Sequence, residues 1–204
     1  MNEYPHIDSI YKRDERGNFI IGDYAKPEFE YLKDLIWIWT EKVDGTNIRL
    51  MWDEQGLRFG GKTEKAQIPT KLLNNLDAHD LTERLAEVFD VGPACLYGEG
   101  HGKGIQKGGE NYSLDQRFVL FDIRIGRWWL KRDNMEEIAA KLDLQIVPIV
   151  FVGTIDDAIA VVADGFKSSW GDFKAEGMVG QPEIPLLDRS GQRIIVKVKT
   201  KDFR

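Results

Sequence analysis

One cysteine stands in 204 residues. Cys95 alone excludes an internal disulfide and any zinc site built on cysteines, and it points to a reducing compartment. No apolar run approaches the ~18 residues that a membrane-spanning helix requires. The opening stretch, MNEYPHIDSIYKRDERG, has no apolar segment of the kind a signal peptide carries. The expectation is a cytoplasmic protein with no membrane partner. Repeats, low-complexity segments and linkers are absent, and the three histidines, His6, His79 and His101, show no ligand spacing. A formal net charge of −6 argues against a protein that coats nucleic acid nonspecifically, although a local basic groove is compatible with it.

What is present suffices for a full core: 42% hydrophobic residues in a chain long enough to bury roughly 70–75% of its unfolded surface. The clearest asymmetry lies at the C-terminal end. Arg189, Arg193, Lys197, Lys199, Lys201 and Arg204 outnumber Asp188 and Asp202 there. Strand-like runs dominate. DLIWIWTE (34–41) alternates, and TNIRLMW (46–52) turns through DEQG into LRFGG (57–61) as a hairpin. RFVLFDIRI (117–125) and WWL (128–130) form a second hairpin around Gly126 and Arg127. Residues 69–90 carry leucines at helical spacing, as one or two helices. A helix over 133–142 is capped by Asp133 or Asn134, and another opens at Thr154 with Asp157 close to a capping box. IVPIVFVG reads as one apolar strand, with EGMVG (176–180) and RIIVKVKTKDF (193–203) as further strands. Strands come mostly in hairpins with helices between the groups, so the fold class is α+β with antiparallel sheets.

Five polar clusters lie on or beside these strands: Lys42-Val43-Asp44-Gly45, YGEGHGKGIQKGG around Glu99, LFDI with Phe121, AEGMVG with Glu176, and VKVK with Lys197 and Lys199. Each alone is a weak signal, since a KxDG occurs by chance and a glycine-rich run reads equally well as a flexible loop. Their order on one chain is the stronger one. The series resembles the covalent nucleotidyltransferase superfamily of ATP-dependent ligases and capping enzymes. It is most similar to the RNA ligase branch, near the phage double-strand RNA ligases, and the likeness runs over nearly the whole chain. DNA ligases and capping enzymes usually carry arginine two residues after the motif glycine; here that residue is Asn47.

The resemblance implies a nucleotidyltransferase fold, antiparallel sheets flanked by helices with the nucleotide between them, as a single adenylyltransferase domain over 1–204. It implies ATP and Mg²⁺ or Mn²⁺ as cofactors and nucleic acid as partner, as RNA ends or a nicked duplex, with an RNA/DNA hybrid also admitted. A monomer is expected. Lys42 would attack the α-phosphate of ATP and form a lysyl–AMP phosphoramidate. A free lysine is neutral about once in 2,500 molecules at pH 7. Making it half neutral near pH 7.4 needs about 4 kcal/mol of bias against the ammonium. One unpaired positive charge ~4 Å away supplies that much at an effective dielectric of ~20. Lys197, Lys199 or a bound cation fit that role, whereas Glu41, Asp44 and Glu176 oppose it unless metal occupies them. The free enzyme is therefore expected to hold Lys42 charged, and metal with ATP to release its proton.

The other roles are implied in the same way. Lys197 and Lys199 share one strand face and would clamp the α-phosphate, with Glu176 beside them. Glu99 would accept from the ribose hydroxyls, Phe121 would stack on adenine, and Glu41 would contact the base. Asp44 and Glu176 are the candidate metal ligands. Two departures stand out: the phage group has histidine where Asp44 stands, and the phosphate-contacting arginine of the family is replaced by Lys62, which keeps charge without the bidentate fork. Cys95 reads as a buried structural thiol, the tryptophan pairs 37/39 and 128/129 as core and sheet surface, and Trp170 as the better partner contact. Only five residues follow Lys199, where family members commonly append a C-terminal domain; a minimal ligase or a truncated one is expected. The alternatives are a DNA ligase, a guanylyltransferase, or a noncatalytic nucleotide- or RNA-binding module.

Overall fold

Period-two alternation of large apolar residues builds the strands on which most of the candidate residues sit. The computed structural model describes residues 3–77, 80–90 and 92–203; His79 and Arg204, named above, lie outside them. The chain divides into two compact units: a lysine unit of Pro5–Val43 with Pro148–Arg204, and an inserted unit of Met1–Tyr4 with Asp44–Val147. One boundary, between Val43 and Asp44, cuts through the KVDG motif.

In chain order the lysine unit opens with β1 (Asp8–Ser9), β2 (Tyr11–Arg13), β3 (Phe19–Tyr24), α1 (Pro27–Tyr31) and β4 (Trp37–Glu41). The inserted unit follows with β5 (Thr46–Asp53), β6 (Gly56–Gly61), α2 (Thr70–Asp77), α3 (Leu81–Val88) and β7 (Ala94–His101). It continues through β8 (Arg117–Ile125), β9 (Trp128–Trp129), α4 (Arg132–Leu142) and β10 (Gln145–Ile146). The lysine unit is completed by β11 (Ile149–Gly153), α5 (Ile155–Asp164), β12 (Gly177–Pro182), β13 (Val196–Lys199) and a 3₁₀ turn over Thr200–Phe203.

In the lysine unit a sheet runs β1-β13-β12-β4-β11, with β2 and β3 as a separate hairpin. Trp37, Trp39, Met178, Val196 and Val198 point to one face and are fully buried with Ile155, Ala158 and Val162 of α5. Helix α5 begins with the anticipated capping box between Thr154 and Asp157. In the inserted unit the order is β10-β8-β7-β5-β6, with β9 also paired to β8. Ile48, Leu50, Leu96 and Leu120 pack there against Leu72, Leu76, Leu81 and Leu85 of α2 and α3 and against Met135 and Leu142 of α4. Burying each such side chain stabilises by about 1.5–3 kcal/mol.

Strand β8 carries a bulge. Tyr97 pairs with Asp122 but Gly98 pairs with Leu120, so Phe121 is the extra residue. That insertion lets Phe118 and Leu120 before it, and Ile123 after it, all enter the core despite their different parity.

Both anticipated hairpins form, β5 with β6 and β8 with β9, and the 69–90 stretch gives two helices. Several expectations need correction. IVPIVFVG is two strands, β10 and β11, parted at Pro148 into different units; a proline cannot donate to a ladder. The 133–142 helix starts at Arg132 behind Lys131, with no side-chain cap from Asp133 or Asn134. The last strand ends at Lys199, where the chain tightens into the 3₁₀ turn. The sheets are mostly antiparallel, but β1 runs parallel to β13 and β10 parallel to β8.

Gly180 lies against the Trp39 indole, whose ring carbons would stand 2.4 Å from an added Cβ. Trp39 is fully buried and cannot yield. Gly180→Ala is expected to cost about 1–3 kcal/mol through overpacking. Its thermal midpoint should drop by roughly 2–4 °C per kcal/mol, measurable by circular dichroism.

Candidate functional site

In the lysine unit, alternation sorts the candidates onto two faces. Glu41 follows Trp37 and Trp39 on the buried face of β4 and is 1% exposed. Lys197 and Lys199 take the opposite face of β13, because Val196 and Val198 fill the core. Register then brings Lys42 to them. Gly177 pairs with Lys199, and the Lys42 amide donates to the Gly177 carbonyl at 2.9 Å, so Lys42, Gly177 and Lys199 form one row across the sheet. Gly177 must be glycine here, since a Cβ would meet the Val198 carbonyl oxygen at 2.1 Å.

Glu176 ties that row together. Its Oε2 accepts from Lys42 Nζ at 2.7 Å and its Oε1 from Lys199 Nζ at 2.7 Å. The three side chains are 22%, 13% and 20% exposed for Lys42, Glu176 and Lys199, enough to meet a ligand but mostly out of water. Lys197 Nζ donates to the Ile7 carbonyl at 2.7 Å. Two ammoniums share one carboxylate, which leaves this row with a surplus of positive charge and makes it a seat for an anion.

Glu41 belongs to a different network. Its carboxylate accepts from the Ser168 hydroxyl at 2.5 Å and from the Ser169 amide at 2.8 Å. Ser168 Oγ in turn accepts from the Trp170 amide at 3.1 Å. Glu41, beside Lys42, thus anchors the loop that leads into Glu176, and Trp170 is fixed by that loop.

In the inserted unit, Asn47 of β5 stands opposite Glu99 of β7. Lys62 follows directly on the Ile48–Gly61 pair, so it continues the same row beyond β6, exposed. Asn47 Oδ1 is buried and has no hydrogen-bond partner among the described residues, an acceptor that awaits a donor. Asp44 and Gly45 are held by the glycine-rich loop: the Asp44 amide donates to Tyr112 Oη at 3.2 Å, and Gln106 Nε2 donates to the Gly45 carbonyl at 3.0 Å. Gly45 itself lies on β7, where a Cβ would meet the Gly100 carbonyl oxygen at 2.2 Å. The loop is tight, not slack, because Gly102 and Gly109 let two backbone segments touch: a Cβ on Gly109 would fall 2.1 Å from the Gly102 oxygen. Phe121, half-buried at the bulge, packs edge-on against Tyr4 at 5.0 Å, and Tyr4 Oη donates to Asp122 at 2.8 Å.

The family model for RNA ligase matches residues 35–199. The chain belongs to the RNA ligase family. Solved structures share the fold of this chain. A lysine-to-alanine variant of Naegleria gruberi RNA ligase, with ATP and Mn, is 18% identical with a TM-score of 0.69; the match covers 98% of this chain and 62% of that one. A second such variant, also with ATP and Mn, gives 19%, 0.70, 98% and 58%. The same enzyme with PPi gives 18%, 0.69, 98% and 62%. The chain therefore spans about 60% of the length of these proteins. No curated protein matches it.

Within this RNA ligase fold, Lys42, Glu176 and Lys199 stand together, and Lys197 shares the Lys199 face. Asn47, Glu99 and Lys62 share a row of the inserted unit. Asp44 and Glu176 fall in different units. Among the described residues, no group of three or more histidine, cysteine or acidic side chains could hold a metal alone. The donors present suit an ion such as Mg²⁺ that takes one or two carboxylates and completes its shell from phosphates and water.

Sequence reasoning missed Ser168 and Ser169, and it missed Arg49, a 2% exposed cation on β5 whose Nε donates to the Gly61 carbonyl at 2.9 Å. The alternation of Asn47, Arg49 and Met51 against Ile48 and Leu50 was a usable signal for Arg49. None existed for the serines. His101 ends β7, is 1% exposed and has its pKa pushed down to about 4 by burial and by Arg117. Cys95 is buried, as expected, and burial pushes its thiol up.

Two outcomes follow from these contacts. Ser168→Ala and Glu41→Gln should be non-additive in urea unfolding, with a coupling of about 1.5–3 kcal/mol, the worth of a hydrogen bond to a charged group. Additive losses would mean that the contact carries no energy. For His101, the unfolded imidazole takes a proton below its ordinary 6.5, whereas the folded one refuses it until about 4. Stability should therefore fall as pH drops through that window, and His101→Gln should flatten that part of the profile.

Proposed function

We propose that this chain is an ATP-dependent RNA ligase working through a lysyl–AMP intermediate. The observation that carries the reading is the row Lys42–Glu176–Lys199 with Lys197 on the same face. Lys42 Nζ, freed of its proton, forms a P–N bond with the α-phosphorus of ATP as the bond to pyrophosphate breaks. A 5′-phosphate oxygen of RNA then attacks that phosphorus, the P–N bond breaks and Lys42 is released, leaving AMP joined to the RNA end. A 3′-hydroxyl next attacks the 5′-phosphate, and AMP departs with the bonding electrons as the strands join.

The chain's own groups divide the work. Lys199 and Lys197 offer fixed positive charge to the transferring phosphate, where charge develops in the transition state. Glu176 holds Lys42 by a hydrogen bond at 2.7 Å before ATP arrives, and a divalent cation competing for that carboxylate would loosen the hold. A divalent cation, brought with the phosphates and met by Glu176 or Asp44, would neutralise the departing pyrophosphate. Glu99 and the unpartnered Asn47 Oδ1 suit the ribose hydroxyls, which are donors, Phe121 suits the base, and Lys62 a phosphate. The Naegleria structures with ATP and Mn, with AMP and Mn and with PPi support this reading. A cytoplasmic, monomeric enzyme of RNA repair, acting on RNA ends or nicked duplexes, completes it.

Intact-protein mass spectrometry after incubation with ATP and Mg²⁺ tests it. An adduct of one AMP is expected, absent with GTP and absent from Lys42→Ala. A GTP-only adduct would make the chain a capping enzyme, and ATP binding without any adduct would make it a noncatalytic binding module.

A further inference from the structure

The β8–β9 hairpin displays a tryptophan that the fold does not use. Trp128 is 79% exposed, although it sits in a regular pair opposite Ile125. Its neighbour Trp129 does the structural work: it pairs with Arg124, whose guanidinium lies 5.5 Å over its ring, and it packs on Tyr4 and Tyr97 at 5.7 and 5.4 Å. One indole makes a rigid base, and the other projects from it.

The segment that carries Trp128, between Asp122 and Asp133, has charge of one sign. IRIGRWWLKR, residues 123–132, carries Arg124, Arg127, Lys131 and Arg132 and no acid, in a chain of net charge −6. Arg132 is held by Glu136 at 2.6 Å and Arg124 lies over Trp129. Arg127 and Lys131 are exposed and form no ion pair among the described residues. A flat apolar ring flanked by uncommitted cations matches a polyanion that carries flat apolar groups of its own. A single-stranded polynucleotide is that ligand: bases stack on the ring and phosphates meet the cations. A lipid surface would supply the charge but not the stacking faces.

The hairpin also lies on the sheet that carries the candidate nucleotide residues. Trp128, opposite Ile125, takes the other face of β9, an edge strand paired with β8 alone among the described residues, while Arg124 and Trp129 share the face of Glu99. Arg124 pairs with Cys95, four residues along β7 from Glu99. That separation is about 13 Å at 3.3 Å per residue. A strand whose end is being joined near Glu99 would reach the β9 edge within a few nucleotides and meet Trp128 by passing around it.

We propose that the β8–β9 hairpin docks a single-stranded segment of the polynucleotide substrate, with Trp128 stacking on a base and Arg127 and Lys131 holding the phosphates beside it. The proposal rests on the ligase reading for the identity of the polyanion.

Fluorescence anisotropy with a labelled single-stranded RNA oligonucleotide tests it on the full chain, with AMP-adduct formation measured in parallel. Trp128→Ala should weaken binding about tenfold, the lower range of one base–aromatic stack, and Trp128→Phe should recover most of the loss. Replacing Arg127 and Lys131 by alanine should lower the slope of log affinity against log salt by about 1.4, at ~0.7 per single-strand phosphate. Adduct formation should be unchanged in all three, since none of these residues belongs to the lysine row. RNA binding by Trp128→Ala within twofold of wild type, with the AMP adduct intact, would overturn the docking site and leave the ligase reading standing. Loss of RNA binding in Trp128→Ala while wild type forms no adduct would uphold the site and overturn the reading instead. Tighter, Trp128-dependent binding to anionic phosphatidylserine vesicles than to RNA would make the hairpin a membrane contact and overturn the proposal.

Discussion

The carboxylate of Glu176, shared between the ammoniums of Lys42 and Lys199, is the interaction on which the candidate chemistry depends. Two like charges would not stand beside each other in a partly buried place without a counter-charge between them. Glu176 therefore permits a cationic site to exist before any substrate arrives. It also holds Lys42 by a hydrogen bond, and a nitrogen whose proton is so committed has no lone pair to offer. A cation that took up the carboxylate would change both conditions at once. Readiness and restraint are properties of one pair of hydrogen bonds.

That arrangement rests on sheet geometry more than on the lysines. Gly177 carries no Cβ, so Lys199 can lie flush against it, and its carbonyl receives the Lys42 amide. Period two does the rest. It sends Val196 and Val198 into the core and Lys197 and Lys199 out of it, and it turns Glu41 inward beside Trp39. Glu41 then finds a hydroxyl and an amide from Ser168 and Ser169, which satisfy a buried carboxylate that water cannot reach. Two adjacent residues, Glu41 and Lys42, thus serve separate networks.

The inserted unit follows the same logic with a different device. One bulged residue, Phe121, reverses the parity of β8 partway along. The apolar residues stay in the core on either side of it, and Asp122 and Arg124 join Tyr97 and Glu99 on the other face. Polar and aromatic groups collect on that face without breaking the core beneath. The glycines of the 102–109 loop are needed for backbone contact, which is why a run that reads as slack folds as a tight brace for Asp44 and Gly45.

The sequence by itself determined the order and type of most elements, both hairpins, the capping box at Thr154 and the five polar clusters with their cations on one strand face. These are set by neighbours a few residues apart, through alternation, turn chemistry and local capping. It also carried the family likeness, since that lies in short motifs whose order survives where overall identity does not. Only the tertiary structure decided what depends on residues far apart in the chain: the splitting of IVPIVFVG between two units at Pro148, the bulge at Phe121, the seat of Glu41 on Ser168 and Ser169, the burial of Arg49 and His101, and the bridging of Lys42 to Lys199 through Glu176. Pairing partners and register settle each of those, and neither is written in the spacing of any one segment.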